Sequence, residues 1–429
     1  MINKKFFYIS YENLINFSFI VYFANPFFIS FFSFLKIPHT ITVLLTLLMI
    51  YIPVFVLFFL NSKKYLKVDF VILYIFLILF FAITWLIHPE YTPYYLKREY
   101  GVFDTVFFPT HGIYAYLFIR LINNPCKILK NLKFSGYLMI FYFLAEIYLY
   151  TKRGFWYGVV GDNGKAIMSY SVSFGYQVLF FLVIFLYSFF KYNKKLDLIF
   201  TLMYIIMLFI GGSRGPFIFV ITFIVIYWFL ELSNRAEFIK HKNKSILFFI
   251  SGFILYYFKN DILFFISKQI KTFGFSSRFI DKLLLGTIFS DSGRSIIWQK
   301  TIEMIKENPF GYGAMGSRHV ITNVIFAGYP HNVILEILVD FGVFFGLIIL
   351  SMFLINILIM FYRKNTKEYR GIFLVFLSCS LGLLLSLTYW NSNVFWGSIA
   401  IVISCLFDLK NKRKYRILSL EQENYFDRK

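Results

Sequence analysis

Charged side chains are scarce in this chain. They make up 15% of its 429 residues, where soluble domains carry about 25%. That shortage excludes an ordinary water-soluble domain. Acidic residues are the scarcer sign, 22 Asp and Glu against 43 Lys and Arg, for a formal net charge of +21. Such an excess would suit nucleic acid, but the basic residues sit in short loops between apolar runs, where they set membrane topology. No nucleic-acid partner is expected. Cysteine is nearly absent. Cys126, Cys379 and Cys405 lie scattered, without pairing or metal spacing, which excludes a disulfide framework and a zinc site. There is no phosphate-binding lysine loop, paired-aspartate motif or two-histidine metal spacing. An ATP-driven pump is therefore not expected, nor a sugar-nucleotide transferase that holds its donor through a divalent ion. Neither a metal nor a cofactor is called for. Internal repeats, which would mark a transporter or a flippase for lipid-linked saccharides, are missing too.

What is abundant is apolar: 59% of residues are hydrophobic and 60 are Phe. Apolar runs near 20 residues, without the alternation of a barrel strand, predict an all-α polytopic membrane protein. Twelve candidate spans can be drawn, at 14–35, 40–60, 69–87, 102–122, 134–150, 169–190, 196–211, 216–232, 245–258, 331–361, 371–387 and 394–406. Several are short of the roughly 20 residues a crossing needs. Lys4 and Lys5, with no small-residue cleavage site after them, read as a cytoplasmic start. With both termini cytoplasmic, the basic groups Lys63-Lys64, Lys194-Lys195, Lys240 to Lys244, Arg363-Lys364 and Lys410 to Arg416 fall on the inner side, as positively charged loops do. The organisation is one membrane domain: helices 1–9 in 1–258, a long extracytoplasmic loop at 259–330, helices 10–12 in 331–408, and a cytoplasmic tail at 409–429.

The long polar interruption at 259–330 holds nine basic and five acidic residues, net +4. Positive charge is disfavoured on the outer face, so an anionic ligand is one reason for it. Within it, Ile297, Trp298, Thr301, Met304 and Ile305 recur at helical spacing, with Lys300, Glu303, Lys306 and Glu307 on the other side. This predicts an amphipathic helix from Arg294 to Glu307. Asp291, Ser292 and Gly293 suit its start, and Asn308-Pro309 with Gly311 its end.

Gly211-Gly212-Ser213-Arg214-Gly215-Pro216 breaks an apolar stretch. A tight turn with Arg214 reaching to headgroups accounts for it. So does an arginine at a cavity mouth, whose planar fork suits phosphate, between glycines that let a ligand approach. At Pro330-His331-Asn332 the plain reading is an idle histidine at a helix start. The chemical one is a general base for a hydroxyl. Asn332, Glu336 and Asp340 share a helix face, and their carboxylates need partners, for which Arg214 or Arg294 is expected. His111 and Asp104 read as packing inside the bundle. Gly311-Tyr312-Gly313-Ala314-Met315-Gly316 matches the spacing of a dinucleotide fingerprint but follows Asn308-Pro309 rather than a strand. It reads instead as a flexible turn that brings Arg318 and His319 round.

Taken together, Ser213-Arg214-Gly215, Gly293-Arg294, Trp298, Glu307-Asn308-Pro309-Phe310-Gly311-Tyr312-Gly313, Pro330-His331-Asn332, Leu335-Glu336, Gly342 and Gly346 resemble the shared region of the O-antigen polymerase and O-antigen ligase superfamily. The likeness in order and spacing runs from Ile210 to Gly346. It implies a glycosyltransferase acting on polyprenyl-pyrophosphate-linked saccharides at the outer face of the bacterial cytoplasmic membrane, with no metal. It also implies Arg214, Arg294 and His331 as catalytic residues. Arg318 and Lys300 would assist, and Ser213, Asn332 and Glu336 would line the substrate site. A polymerase of repeat units is the expected activity, with a chain-length regulator protein as a partner. Transfer of finished polysaccharide to lipid A core, the ligase reaction, is the alternative.

Overall fold

The computed structural model describes residues 11–98, 100–159, 165–168, 170–232, 257–272, 278–287, 293–323 and 328–426. Lys4, Lys5, nearly all of the expected span 245–258, the Lys240 to Lys244 group, Asp291 and Ser292 lie outside them. Six helices are long and apolar enough to cross a membrane: His39–Leu60, Val68–Ile87, Pro125–Arg153, Val172–Tyr192, Val333–Tyr362 and Asn393–Lys410. A seventh is counted if Tyr11–Phe23 and Asn25–Phe34, bent by 76°, are one span.

Twelve spans are therefore not what the described residues hold, and the interruptions have local causes. The run at 14–35 turns where Pro26 opens a new helix, since proline has no N–H to continue the old one. The run at 102–122 keeps only a turn at Val102–Thr105 and the helix Ile113–Ile122, with Pro109 and Gly112 between them. Shorter helices, Lys195–Gly211, Arg214–Leu232 and Lys367–Ser380, stand at other expected spans. The all-α expectation also needs an amendment. Trp156–Val159 and Lys165–Met168 form an antiparallel hairpin, the one sheet among the described residues, with Trp156 opposite Met168.

Val172–Tyr192 is the bundle's central helix. Its apolar stretch is 72% buried, against 11% for Val333–Tyr362, which lies at the edge of the described bundle. The central helix packs against Pro125–Arg153, Lys195–Gly211, Arg214–Leu232 and Lys367–Ser380. Phe181, Phe185 and Tyr204 interleave in that core.

Val333–Tyr362 is broken at Gly342, whose backbone leaves helical geometry at φ 76°, ψ 170°. The break frees backbone groups that a continuous helix would pair, and a hydrocarbon setting requires protein partners for them. They have partners. The carbonyls of Val339 and Asp340 accept from Tyr312 N (2.8 Å) and Gly313 N (3.0 Å), and Val343 N donates to the Pro309 carbonyl at 2.8 Å. This pairing demands close approach. A Cβ on Gly342 would lie 2.4 Å from the Phe310 carbonyl carbon, and one on Gly311 2.4 Å from Gly342 N. The glycine-rich segment is thus a fixed clamp, and the flexible turn expected from its composition is not what forms.

Gly342→Ala must carry a side chain at positive φ, which costs about 1–3 kcal/mol, and the backbone clash adds to that. A clear fall in the thermal midpoint of detergent-solubilised protein is expected. Gly346→Ala, whose nearest neighbour is the flexible Leu338 side chain at 3.0 Å, should lose much less. Equal midpoints for the two variants would refute the clamp.

Candidate functional site

The helix Arg294–Glu307 forms as its periodicity demands. Ile297 and Met304 bury against Val339 and Ile321, with Ile305, Tyr312 and Val320 packed beside them. That face lies on the broken helix. Lys306 and Glu307 stay exposed, and Lys300 pairs with Glu303 at 3.1 Å. Gly293, at φ 78°, opens the helix, so Arg294 stands at its first turn.

Arg294 and Arg214 meet at one pocket. Its lining is Tyr170, Val172, Tyr176, Gly212, Ser213, Arg214, Gly215, Arg294 and Ser386, around about 70 Å³ of interior space, room for several waters or an anion of that size. Arg214 comes from the first turn of its own helix, after Gly212 has closed the preceding one at φ 64°. Gly215 has a different use from the ligand approach expected of it. A Cβ there would lie 2.6 Å from the Tyr176 hydroxyl, so the missing side chain admits Tyr176 to the pocket.

His331 is half-buried at a left-handed φ of 53°, a conformation uncommon outside glycine. Its ring lies 4.3 Å from that of Tyr329. Asn332 caps the broken helix by accepting from Ile334 N (3.0 Å) and Leu335 N (3.2 Å), so its side chain is engaged with backbone. Burial, and then the charge of Arg294, push the imidazolium pKa of His331 down from 6.5 to about 4. The histidine is neutral at pH 7, and Arg294 is close enough to act on it.

Glu336 and Asp340 are 2% and 1% exposed. Glu336 accepts from Thr388 Oγ1 at 2.5 Å and from Tyr389 N at 3.4 Å. Asp340 Oδ2 accepts from the Tyr389 hydroxyl (3.0 Å) and Trp390 Nε1 (3.1 Å). The cation whose charge acts on them is Arg318, in place of the Arg214 or Arg294 expected. Arg318 is 4% exposed and donates to the Tyr100 carbonyl. Burial lowers its pKa, while Glu336, Tyr329 and Asp340 hold the charged form. Arg318, Glu336, Lys300, Asn332 and His331 thus stand outside the pocket lining, whereas Ser213 belongs to it. His319 hydrogen-bonds the Gly316 carbonyl and stacks on Tyr91 at 4.8 Å. His111 Nδ1 lies 3.2 Å from the Asp104 carbonyl, packed as read.

Residues 198–351 match the family model for O-antigen ligase. The match supports a likeness of that region to the O-antigen ligases and polymerases, which are glycosyl-transfer enzymes in general. It covers a little over a third of the chain and contains Arg214, Arg294, Arg318 and His331. No curated protein and no solved structure matches the chain. Several groups that complete the arrangement lie outside the O-antigen ligase region: Tyr170, Tyr176, Ser386 and the segment from Thr388 to Trp390. The polar run Thr388-Tyr389-Trp390-Asn391-Ser392-Asn393 between apolar stretches was a readable signal for the last of these. Tyr176 and Ser386 sit in apolar surroundings that give none.

Arg318 is the buried cation whose charge acts on two buried carboxylates, and removing it leaves them without that compensation. Arg318→Met should therefore lose most of its folded monomer in size-exclusion chromatography. Adding Glu336→Gln to Arg318→Met should restore part of it. A double variant no better than the single one would show that these groups are not coupled.

Proposed function

We propose that this protein is a polysaccharide polymerase, joining polyprenyl-pyrophosphate-linked oligosaccharide repeat units at the outer face of the cytoplasmic membrane. The observation that carries the reading is the convergence of Arg214 and Arg294, from separate helices, on one pocket, with a neutral His331 within the field of Arg294. In the transfer, the bond between the anomeric carbon and the pyrophosphate oxygen breaks. A bond from that carbon to an acceptor hydroxyl oxygen forms. Two guanidiniums offset the charge that develops on the leaving pyrophosphate, the work a divalent ion does elsewhere. His331 takes the hydroxyl proton. Tyr176 and Ser386 supply hydroxyls at the pocket wall.

A second reading is favoured by the family description itself, O-antigen ligase: transfer of finished polysaccharide to lipid A core. The donor and the bond broken are the same, and only the acceptor differs. Purified protein in liposomes with a defined lipid-pyrophosphate oligosaccharide separates the two. Chain growth on the lipid carrier is the expected result. Product only when lipid A core is added would select the ligase. Transbilayer movement of the donor with no product would defeat both.

Loss of one preorganised cation costs about 2.7–4 kcal/mol at the transition state. Arg214→Ala and Arg294→Ala should therefore each lower kcat at least 100-fold at normal protein levels.

The pH profile tests His331. Only the neutral imidazole accepts a proton, and it persists down to its folded-state pKa of about 4. The acid limb of kcat/KM should accordingly lie well below the ordinary histidine value of 6.5. Arg294→Gln removes one of the two causes of that depression, so the residual activity should show an acid limb moved upward. A limb that stays in place would take His331 out of the role of base.

A further inference from the structure

Phe310 is out of place for a residue in a polar loop. It is 80% exposed, and it has no freedom to turn inward. Its own N–H donates to Asn308 Oδ1 at 3.2 Å, and Asn308 Nδ2 donates to the Gly311 carbonyl at 2.8 Å. Pro309 before it, and Tyr312 and Gly313 after it, are hydrogen-bonded to the break in Val333–Tyr362. The turn therefore holds an aromatic ring outward by construction. Leaving a Phe side chain in water forgoes about 1.5–3 kcal/mol of burial.

The ring does have neighbours of one kind. Its centroid lies 6.2 Å from that of Phe344. Phe344 and Phe345 are themselves 66% and 68% exposed, and Leu347 and Ile348 continue the apolar stripe. These four belong to a helix of mean hydropathy 2.7, apolar enough to cross a membrane. Their exposed surface faces acyl chains, and Phe310 extends that surface onto the loop without a gap. The hydrogen bonding at Gly342 agrees. Val339, Asp340 and Val343 find backbone partners in protein, the solution that hydrocarbon requires and water does not. Immediately before the turn, Lys306 and Glu307 are exposed, so the polar boundary falls between Glu307 and Phe310.

We propose that the turn at 308–313 is sunk into the bilayer, with the Phe310 ring among acyl chains of the leaflet on the pocket side. The occupant of this face is lipid. The turn follows directly on the helix whose first residue, Arg294, lines the pocket, so lipid on Phe310 sets the height of that helix above the membrane. A helix rises about 1.5 Å per residue, so Asn332 stands roughly 15 Å further along the axis than Gly342. That carries His331 outward to the headgroups or beyond, the level of a lipid-linked phosphate. The last consequence rests on the proposed function; the lipid contact does not.

The experiment uses the full chain with Cys126, Cys379 and Cys405 replaced by Ser and a single cysteine placed by Phe310→Cys. A bimane label there is read in liposomes containing doxyl-labelled phosphatidylcholine or in the presence of aqueous iodide. Phe345→Cys serves as the lipid-facing reference and Lys306→Cys as the water-facing one. Strong doxyl quenching with weak iodide quenching, matching position 345, is the expected result. Iodide quenching equal to that at position 306 would overturn the proposal. So would protection from both quenchers, which would mean that a second copy or another protein covers the ring. None of these outcomes depends on catalytic activity.

Discussion

The exchange of backbone hydrogen bonds across Gly342 is the constraint on which the site rests. A helix cannot be opened inside a membrane unless another segment supplies the missing partners. Here that segment is 309–313, and the exchange ties the loop to the helix at a fixed register. Everything upstream inherits the register. The helix Arg294–Glu307 lies along the broken helix, and so Arg294 reaches the pocket that Arg214 lines. The same clamp touches the first half of the chain, where Ala314 N donates to Thr84 Oγ1 (3.1 Å) and the Tyr95 hydroxyl donates to the Ala314 carbonyl (2.6 Å).

The second tie is a buried polar network. Two carboxylates one helical turn apart are buried within the field of the Arg318 guanidinium, and hydroxyl, indole and amide donors from residues 388–390 reach three of their four oxygens, leaving Asp340 Oδ1 without a hydrogen bond. Buried charge is weak support for stability, since desolvation offsets most of the attraction. Its better-attested use is to fix one arrangement among several, because any slip leaves a charge unpaired. That use fits its place. Tyr329, which Arg318 and Glu336 both act on, packs its ring at a tilt against that of His331, so the network ends at the histidine's neighbour.

Much of this was legible in the chain. The helix from Arg294 to Glu307 could be drawn because its apolar face is amphipathic in water-like surroundings, where periodicity reports burial. The spans could not be counted so well, since in lipid a helix is apolar all round and the period carries no phase. Only prolines and glycines then mark where a run breaks, and Pro26 and Pro109 were read through. At the site, Arg214, Arg294 and His331 stand out as rare polar groups near membrane depth. Tyr176 and Ser386 do not, because an apolar span contains many such residues. The glycines at 311 and 313 were seen but given the wrong physics. Composition alone cannot distinguish a glycine needed for motion from one needed for close approach, and here the Gly342 backbone at 2.4 Å from a Cβ on Gly311 decides it.

A tension is left between the two charges the site brings together. Arg294 is placed to hold an anion, yet its field is one reason His331 is so weak a base. A base works best when its pKa lies near the operating pH, and about 4 is far below neutrality. On the proposed reading the substrate eases the conflict. A pyrophosphate between Arg214 and Arg294 offsets the guanidinium charge, so the lesser of the two causes that depress His331 weakens when the donor is bound, while burial, the larger, remains. The imidazole then gains basicity when the donor is in place and an acceptor hydroxyl needs it. Placing the cation next to the base in this way links donor binding to acceptor activation without any moving part, which is consistent with a loop clamped at Gly342 rather than hinged there.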